Sequence, residues 1–138
     1  MDKKFEILDH TADTGIIAYG DDLKEAFENA ALGMFSLITD LPSIENDQTR
    51  KIDINSPDRD GLLVSWLNEL IYLFDVENII FSKFDIIHLD ENALSAIVYG
   101  EKVDLSRHEI RTGIKAATYH MLKIDKNSLF RVQVIFDI

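Results

Sequence analysis

Two carboxylates and an imidazole fall within five consecutive residues, Asp9-His10-Thr11-Ala12-Asp13. On a turn between strands, Asp13 can point into a cleft as a hard oxygen ligand. The same acidic residues can instead close a turn by accepting neighbouring backbone N–H groups. A second concentration lies at Phe136-Asp137-Ile138, directly after an amphipathic stretch. If that stretch is a strand held in a sheet, the Asp137 side chain and the terminal carboxylate of Ile138 lie close together. Adjacent carboxylates repel, and a bound cation relieves them. With Asp13 the set carries up to three negative charges, all on oxygen, which suits Mg, Ca or Mn better than zinc or copper. The alternative is a solvated tail with Asp137 turned to water.

Other reactive residue types are scattered. His10, His88, His108 and His120 show neither an H-x-H nor an H-E-x-x-H spacing, and each reads first as a structural or surface histidine. Ser56 and Ser65 sit in no nucleophile elbow. Neither a P-loop nor a G-x-G-x-x-G pattern is present, which argues against autonomous nucleotide hydrolysis. Lys115 lies in the weakly charged run Gly113-Ile114-Lys115-Ala116-Ala117. It can contact a phosphate or a partner's carboxylate, or simply solvate a strand edge.

These groups must be positioned by a small chain. Its 138 residues suit a single domain, 1–138, with a core large enough to hold without staples. No cysteine is present, so disulfides, zinc–thiolate sites and cysteine nucleophiles are excluded. Fourteen Lys and Arg against 25 Asp and Glu give a net charge of −11. Such a surface repels a phosphate backbone, so strong direct nucleic-acid binding is not expected, whereas cations and basic partners suit it. Hydrophobic residues make up 46%, too many for a disordered chain. No apolar leader segment and no apolar run of about 20 residues is visible. The expectation is a soluble cytoplasmic protein without membrane contact.

Two helices stand out. Leu23, Ala26, Phe27, Ala30, Ala31, Met34, Phe35 and Ile38 recur at helical spacing and form one stripe. Asp21 or Asp22 caps this helix, and Pro42 lies just beyond it. A second helix opens on Ser56-Pro57-Asp58, read as N-cap, N1 and N2, with a stripe of Leu63, Trp66, Leu67, Leu70, Ile71 and Phe74. The patterns of residues 5–8, 15–19, 51–55, 79–88, 93–102, 115–124 and 129–137 predict strands, with hairpin connections at 89–92 and 125–128. Residues 9–14 read as a polar connection, and 104–113 as loop or a short helical turn. Helices mixed with hairpins, without repeating βαβ units, predict an α+β fold: two amphipathic helices on a mostly antiparallel sheet.

Four separated pieces also resemble a known family. They are Asp9-His10-Thr11-Ala12-Asp13-Thr14-Gly15-Ile16, Trp66-Leu67-Asn68-Glu69-Leu70-Ile71-Tyr72-Leu73, Gly113-Ile114-Lys115-Ala116-Ala117-Thr118-Tyr119-His120, and the ending Phe136-Asp137-Ile138. In this order they are similar to the motifs of archeases, protein cofactors of RtcB-type RNA ligases, over essentially the whole chain. The resemblance implies an archease-like domain and a divalent-metal site made by Asp13, Asp137 and the main-chain carboxylate of Ile138. His10 and Lys115 fall inside matching motifs, with a positioning or ligase-contact role. It also implies assistance rather than turnover. Archeases promote guanylylation of a GTP-dependent ligase and its multiple turnover in tRNA splicing or RNA repair, so RNA and GTP are met through the ligase.

Two competing readings stand beside this one. An independent metal-dependent phosphoester hydrolase would use Asp13, Asp137 and His10, and would turn over a phosphodiester without any ligase. A metal-independent acidic interaction module would keep its function under chelation.

Overall fold

The structure, a computed structural model, describes residues 3–10, 13–41 and 44–138; for Asp9, His10 and Asp13 the backbone alone is described. Strands β1 (Phe5–His10) and β2 (Asp13–Gly20) form an antiparallel hairpin, paired from Phe5↔Ala18 to His10↔Asp13. The expected polar connection of residues 9–14 is thus mostly strand, because the cross-strand ladder runs to its last rung.

Helix α1 (Leu23–Ile38) follows. Asp22 is its N-cap and accepts the Glu25 N–H at 2.8 Å, while Glu25 reaches back to the Asp21 N–H at 2.9 Å. These bonds satisfy donors that a helix start leaves open. The expected stripe is buried from Ala26 to Ile38 and packs on β2. Pro42, expected to stop this helix, lies outside the described residues.

Strand β3 (Gln48–Asn55) leads to helix α2 (Arg59–Glu77). Here the expected cap is corrected: Asp58, not Ser56, is the N-cap, and its carboxylate accepts the Gly61 N–H at 2.7 Å. Pro57 therefore lies outside the helix. The Ser56 N–H is taken by the Asn92 carbonyl at 2.9 Å, and its hydroxyl fills the space beside Gly61. α2 buries more than the expected stripe, including Leu62, Val64 and Leu73. It is enclosed by α1, by strands of one sheet and by part of the other.

Strands β4 (Ile79–Leu89) and β5 (Ala93–Lys102) form the expected hairpin. Its Asx turn is closed by Asp90, which accepts the N–H groups of Asn92 and Ala93, each at 2.8 Å. Then come β6 (Ala116–Ala117), β7 (Lys123–Lys126) and β8 (Phe130–Asp137). Among the described residues the strands form two sheets: β1-β2-β8-β6 with β7 also on β8, and β3-β5-β4. All pairings are antiparallel, and the α+β class stands.

The expected continuous strand over residues 115–124 is broken. After Ala117 the chain turns, with the Leu122 N–H on the Tyr119 carbonyl at 3.2 Å and Met121 in the left-handed region at φ 54°. At the last rung before the turn the Ile135 carbonyl accepts both the Thr118 N–H at 3.0 Å and the Thr118 hydroxyl at 2.8 Å. Residues 104–113 are loop opened by one turn, in which the Asp104 carbonyl accepts from Arg107 and His108.

One hydrophobic cluster draws on both helices and both sheets. Phe35 lies 5.9 Å from the rings of Phe81 and Phe84 and 6.4 Å from Phe74. Trp66 meets Phe84 edge to face at 6.2 Å, and its indole N–H donates to the Phe27 carbonyl at 3.0 Å. From β8, Val132, Val134 and Phe136 enter this core. The opposite face of β8 is covered too: Gln133 and Ile135 are buried, and the Gln133 amide donates to the Met121 carbonyl at 2.8 Å.

Candidate functional site

The end of β8 is held from both edges. On one, β2 pairs with it from Gly20↔Phe130 to Thr14↔Phe136. The next residues in each strand are Asp13 and Asp137, so the register brings the two backbones to the same rung. The approach is tight: a Cβ on Gly15 would stand 2.5 Å from the Val134 carbonyl oxygen and 2.7 Å from the Ile135 side chain. On the other edge, β6 pairs Ala117↔Phe136 and Ala116↔Asp137. The Lys115 N–H continues this by donating to the Asp137 carbonyl at 2.8 Å.

Three adjacent strands thus carry the backbones of Asp13, Lys115, Asp137 and Ile138 to one end of the five-stranded sheet. His10 faces Asp13 across the β1–β2 hairpin. The side chains of His10 and Asp13 lie outside the described residues. Asp137 and Lys115 are exposed, as is Ile138.

The donor set that the family resemblance implies, two carboxylate side chains and a main-chain carboxylate, would be all hard oxygen, a chemistry that suits Ca, Mg or Mn. Among the described residues no group of three or more His, Cys, Asp or Glu is placed to hold a metal. The end of β8 contributes one such side chain, Asp137; the proposed set is completed by Asp13 and the Ile138 main chain.

His88 and His108 take structural places. His88 pairs with Asp90 at 2.8 Å on the surface. His108 is buried, and its Nδ1 accepts the Asp104 N–H at 2.9 Å. Its Nε2 is 3.4 Å from Glu101 and is the buried side-chain nitrogen or oxygen without a hydrogen bond among the described residues. Glu101, also buried, accepts the Arg107 guanidinium at 2.7 Å and the Glu45 N–H at 2.6 Å. Burial pushes the Glu101 carboxyl up, but Arg107, the Glu45 N–H and His108 together outweigh it and hold the group below its ordinary value.

A cleft of about 450 Å³ lies at the far end of the same sheet, beside Gly20 and Leu129. It takes in Lys3, Lys83, Glu25 and Glu28. Burial raises the Glu28 carboxyl, against the lowering effect of the Ile86 N–H that it accepts at 2.8 Å.

Sequence reasoning missed Asn68 of α2. Its side chain bonds to both backbone groups of Ala117, accepting the N–H at 2.7 Å and donating to the carbonyl at 3.4 Å. The one sequence signal is a carboxamide between Leu67 and Leu70.

A small α+β protein with two antiparallel sheets around two helices, β8 lying between β2 and the short β6 that follows Lys115, is the class these features define. Residues 5–138 match the model of the archease protein family. The chain is 43% identical to protein archease of Methanosarcina acetivorans, over 99% of this chain and 97% of that protein. It is 44% identical to protein archease of Methanothermobacter thermautotrophicus, over 99% of each. The solution structure of Methanobacterium thermoautotrophicum protein 1598 superposes with a TM-score of 0.80 at 41% identity, covering 98% of this chain and 99% of that one. The Thermotoga maritima archease, described as a possible chaperone, shares the fold with a TM-score of 0.63 at 20% identity, covering 100% and 98%. The chain belongs to the archease family. Among the described residues no helix is long and apolar enough to cross a membrane.

Proposed function

We propose that this chain is a protein cofactor of an RtcB-type RNA ligase. It promotes guanylylation of the ligase and its multiple turnover in tRNA splicing or RNA repair, in the cytoplasm. The working end is the end of β8, where Asp13, Asp137 and the main-chain carboxylate of Ile138 hold a divalent ion, Ca, Mg or Mn. The observation that carries this reading is the register of β8 between β2 and β6, which gathers three separated family motifs at one end of one sheet.

A bound ion there supplies positive charge that can bridge phosphate oxygens. The chain's own residues do the rest. Asp137 and Ile138 stand exposed at a strand end fixed by hydrogen bonds on both edges, so the charge is presented outward to a partner. Lys115, exposed on the neighbouring segment, contacts a phosphate or a ligase carboxylate, and His10 positions the opposite side. The net charge of −11 leaves RNA to the ligase. The description of the Thermotoga relative as a possible chaperone supports action on a protein partner.

The test is guanylylation of a purified ligase from the same source with wild type, Asp13→Ala and Asp137→Ala. Each variant is expected to lose stimulation by about tenfold or more, the scale of a damaged metal site. A C-terminal extension that removes the free carboxylate of Ile138 is expected to act in the same direction. If both folded variants stimulate as wild type does, the reading is wrong. Stimulation that survives chelation points instead to a metal-independent acidic module.

A further inference from the structure

β6 is an edge strand only two residues long. One of its edges is paired with β8, and the other meets α2. There the Asn68 carboxamide takes both polar backbone groups of Ala117, at 2.7 and 3.4 Å, so a side chain stands where a further strand would otherwise pair. Ala117 is buried, at 5% exposure, and without Asn68 its N–H would lack this partner. Asn68 is itself firmly carried, because Leu67 and Leu70 beside it are fully buried. On the β8 side, the Lys115 N–H donates to the Asp137 carbonyl at 2.8 Å and the Thr118 N–H to the Ile135 carbonyl at 3.0 Å. The position of Lys115 therefore depends on a very short pairing that α2 braces from behind.

We infer that Asn68 is a positioning residue: by bracing β6 through Ala117 it sets Lys115 in register beside the Asp137–Ile138 end of β8. The inference rests on the reading of that end as the working site, yet its physical content is measurable without a ligase.

The experiment is native-state amide hydrogen exchange on wild type, Asn68→Leu and Asn68→Asp, with ligase guanylylation followed for the same proteins. In the leucine variant the Ala117 and Lys115 amides are expected to exchange about tenfold faster or more, while those of Val134 and Ile16 keep their protection. The aspartate variant keeps an acceptor for the Ala117 N–H but loses the donor to its carbonyl, so its exchange falls between the two. Stimulation of the ligase falls in the same order. Unchanged protection of Lys115 in the leucine variant overturns the inference, as does full stimulation by a variant whose Lys115 amide has been released. If the leucine variant does not fold, the aspartate variant decides by the same two readouts. If wild type stimulates no ligase, the proposed function fails, and the order of exchange still decides the role of Asn68.

Discussion

Glu101 and Arg107 form a half-sheltered ion pair: the carboxylate is buried at 5% exposure, and the guanidinium reaches it at 2.7 Å with its own side chain 46% exposed. Glu101 also caps the Glu45 N–H, so one carboxylate ties β5, residue 45 and the loop after β5 together.

Replacing Glu101 with alanine leaves the Arg107 and Glu45 donors without this acceptor. The expected loss of stability is about 2–3 kcal/mol, below the full scale for a buried pair because Arg107 stays partly in water. Urea unfolding measures it. The sign of the pH dependence follows from the lowered Glu101 carboxyl. Its ordinary value is 4.5, and the unfolded chain takes up the proton first as pH falls below that. The contribution of Glu101 is therefore complete above about pH 4.5 and lost as pH drops through the lower folded value. The gap between wild type and Glu101→Gln should narrow over that window. A gap that is constant down to pH 3 would contradict the pairing.

Glu28 behaves in the opposite sense. Burial raises its carboxyl, with Asp85, Asp22 and Glu25 adding to the rise. Its ionised form opposes folding, so this group's contribution worsens as pH climbs through its ordinary value of 4.5 toward neutrality. Glu28→Gln keeps an oxygen for the Ile86 N–H and removes the charge. A melting temperature higher by up to about 3 °C is expected at pH 7, with the advantage gone at pH 4. Calorimetry at the two pH values checks both halves.

Gly61 sits in the first turn of α2 where a Cβ would stand 2.0 Å from the Ser56 hydroxyl and 3.0 Å from the Asp58 carboxylate. Gly61→Ala is expected to destabilise by about 1–2 kcal/mol, the cost of overpacking less alanine's helix preference. Ser56→Gly in the same chain should recover part of the loss, and a double-mutant cycle measures the coupling. Additive effects would mean that the two positions do not clash.

Met121 holds a left-handed backbone at φ 54° and is exposed. Met121→Gly removes a penalty of about 1–2 kcal/mol and adds backbone entropy worth about half of that. Stability should rise by up to about 1 kcal/mol, read by chemical denaturation. A fall would show that the exposed thioether makes contacts of its own.

Much of the architecture was legible from periodicity. The stripe from Ala26 to Ile38 and the hairpin around Asp90 each obey one local rule and appear as expected, whereas β8, read as amphipathic, is buried on both faces from Val132 to Phe136. The other departures have separate causes. Ser56 and Asp58 are both good caps, and the helix took the one whose carboxylate reaches Gly61. Residues 115–124 alternate well enough for a strand, but after Thr118 the chain turns through 119–122, with Met121 in the left-handed region, and the ladder breaks there. The split into two sheets depends on long-range pairing that no local pattern encodes. For the site, the residue types and the family motifs named Asp13, Lys115, Asp137 and Ile138. Their convergence needed the register of β8, and the Asn68 bonds to Ala117 show in the sequence only as a carboxamide between Leu67 and Leu70.

The pairing of Thr14 with Phe136 spans about 120 residues of chain. A ribosome therefore exposes the β1–β2 hairpin long before the strand that completes it has been made. Through that interval β2 presents an open edge carrying Ile16 and Ala18, both destined for full burial. Open apolar edges of this kind are where nascent chains pair with the wrong partner. The vulnerable period in the life of this protein is thus its synthesis, and it closes only when β8 slides between β2 and β6.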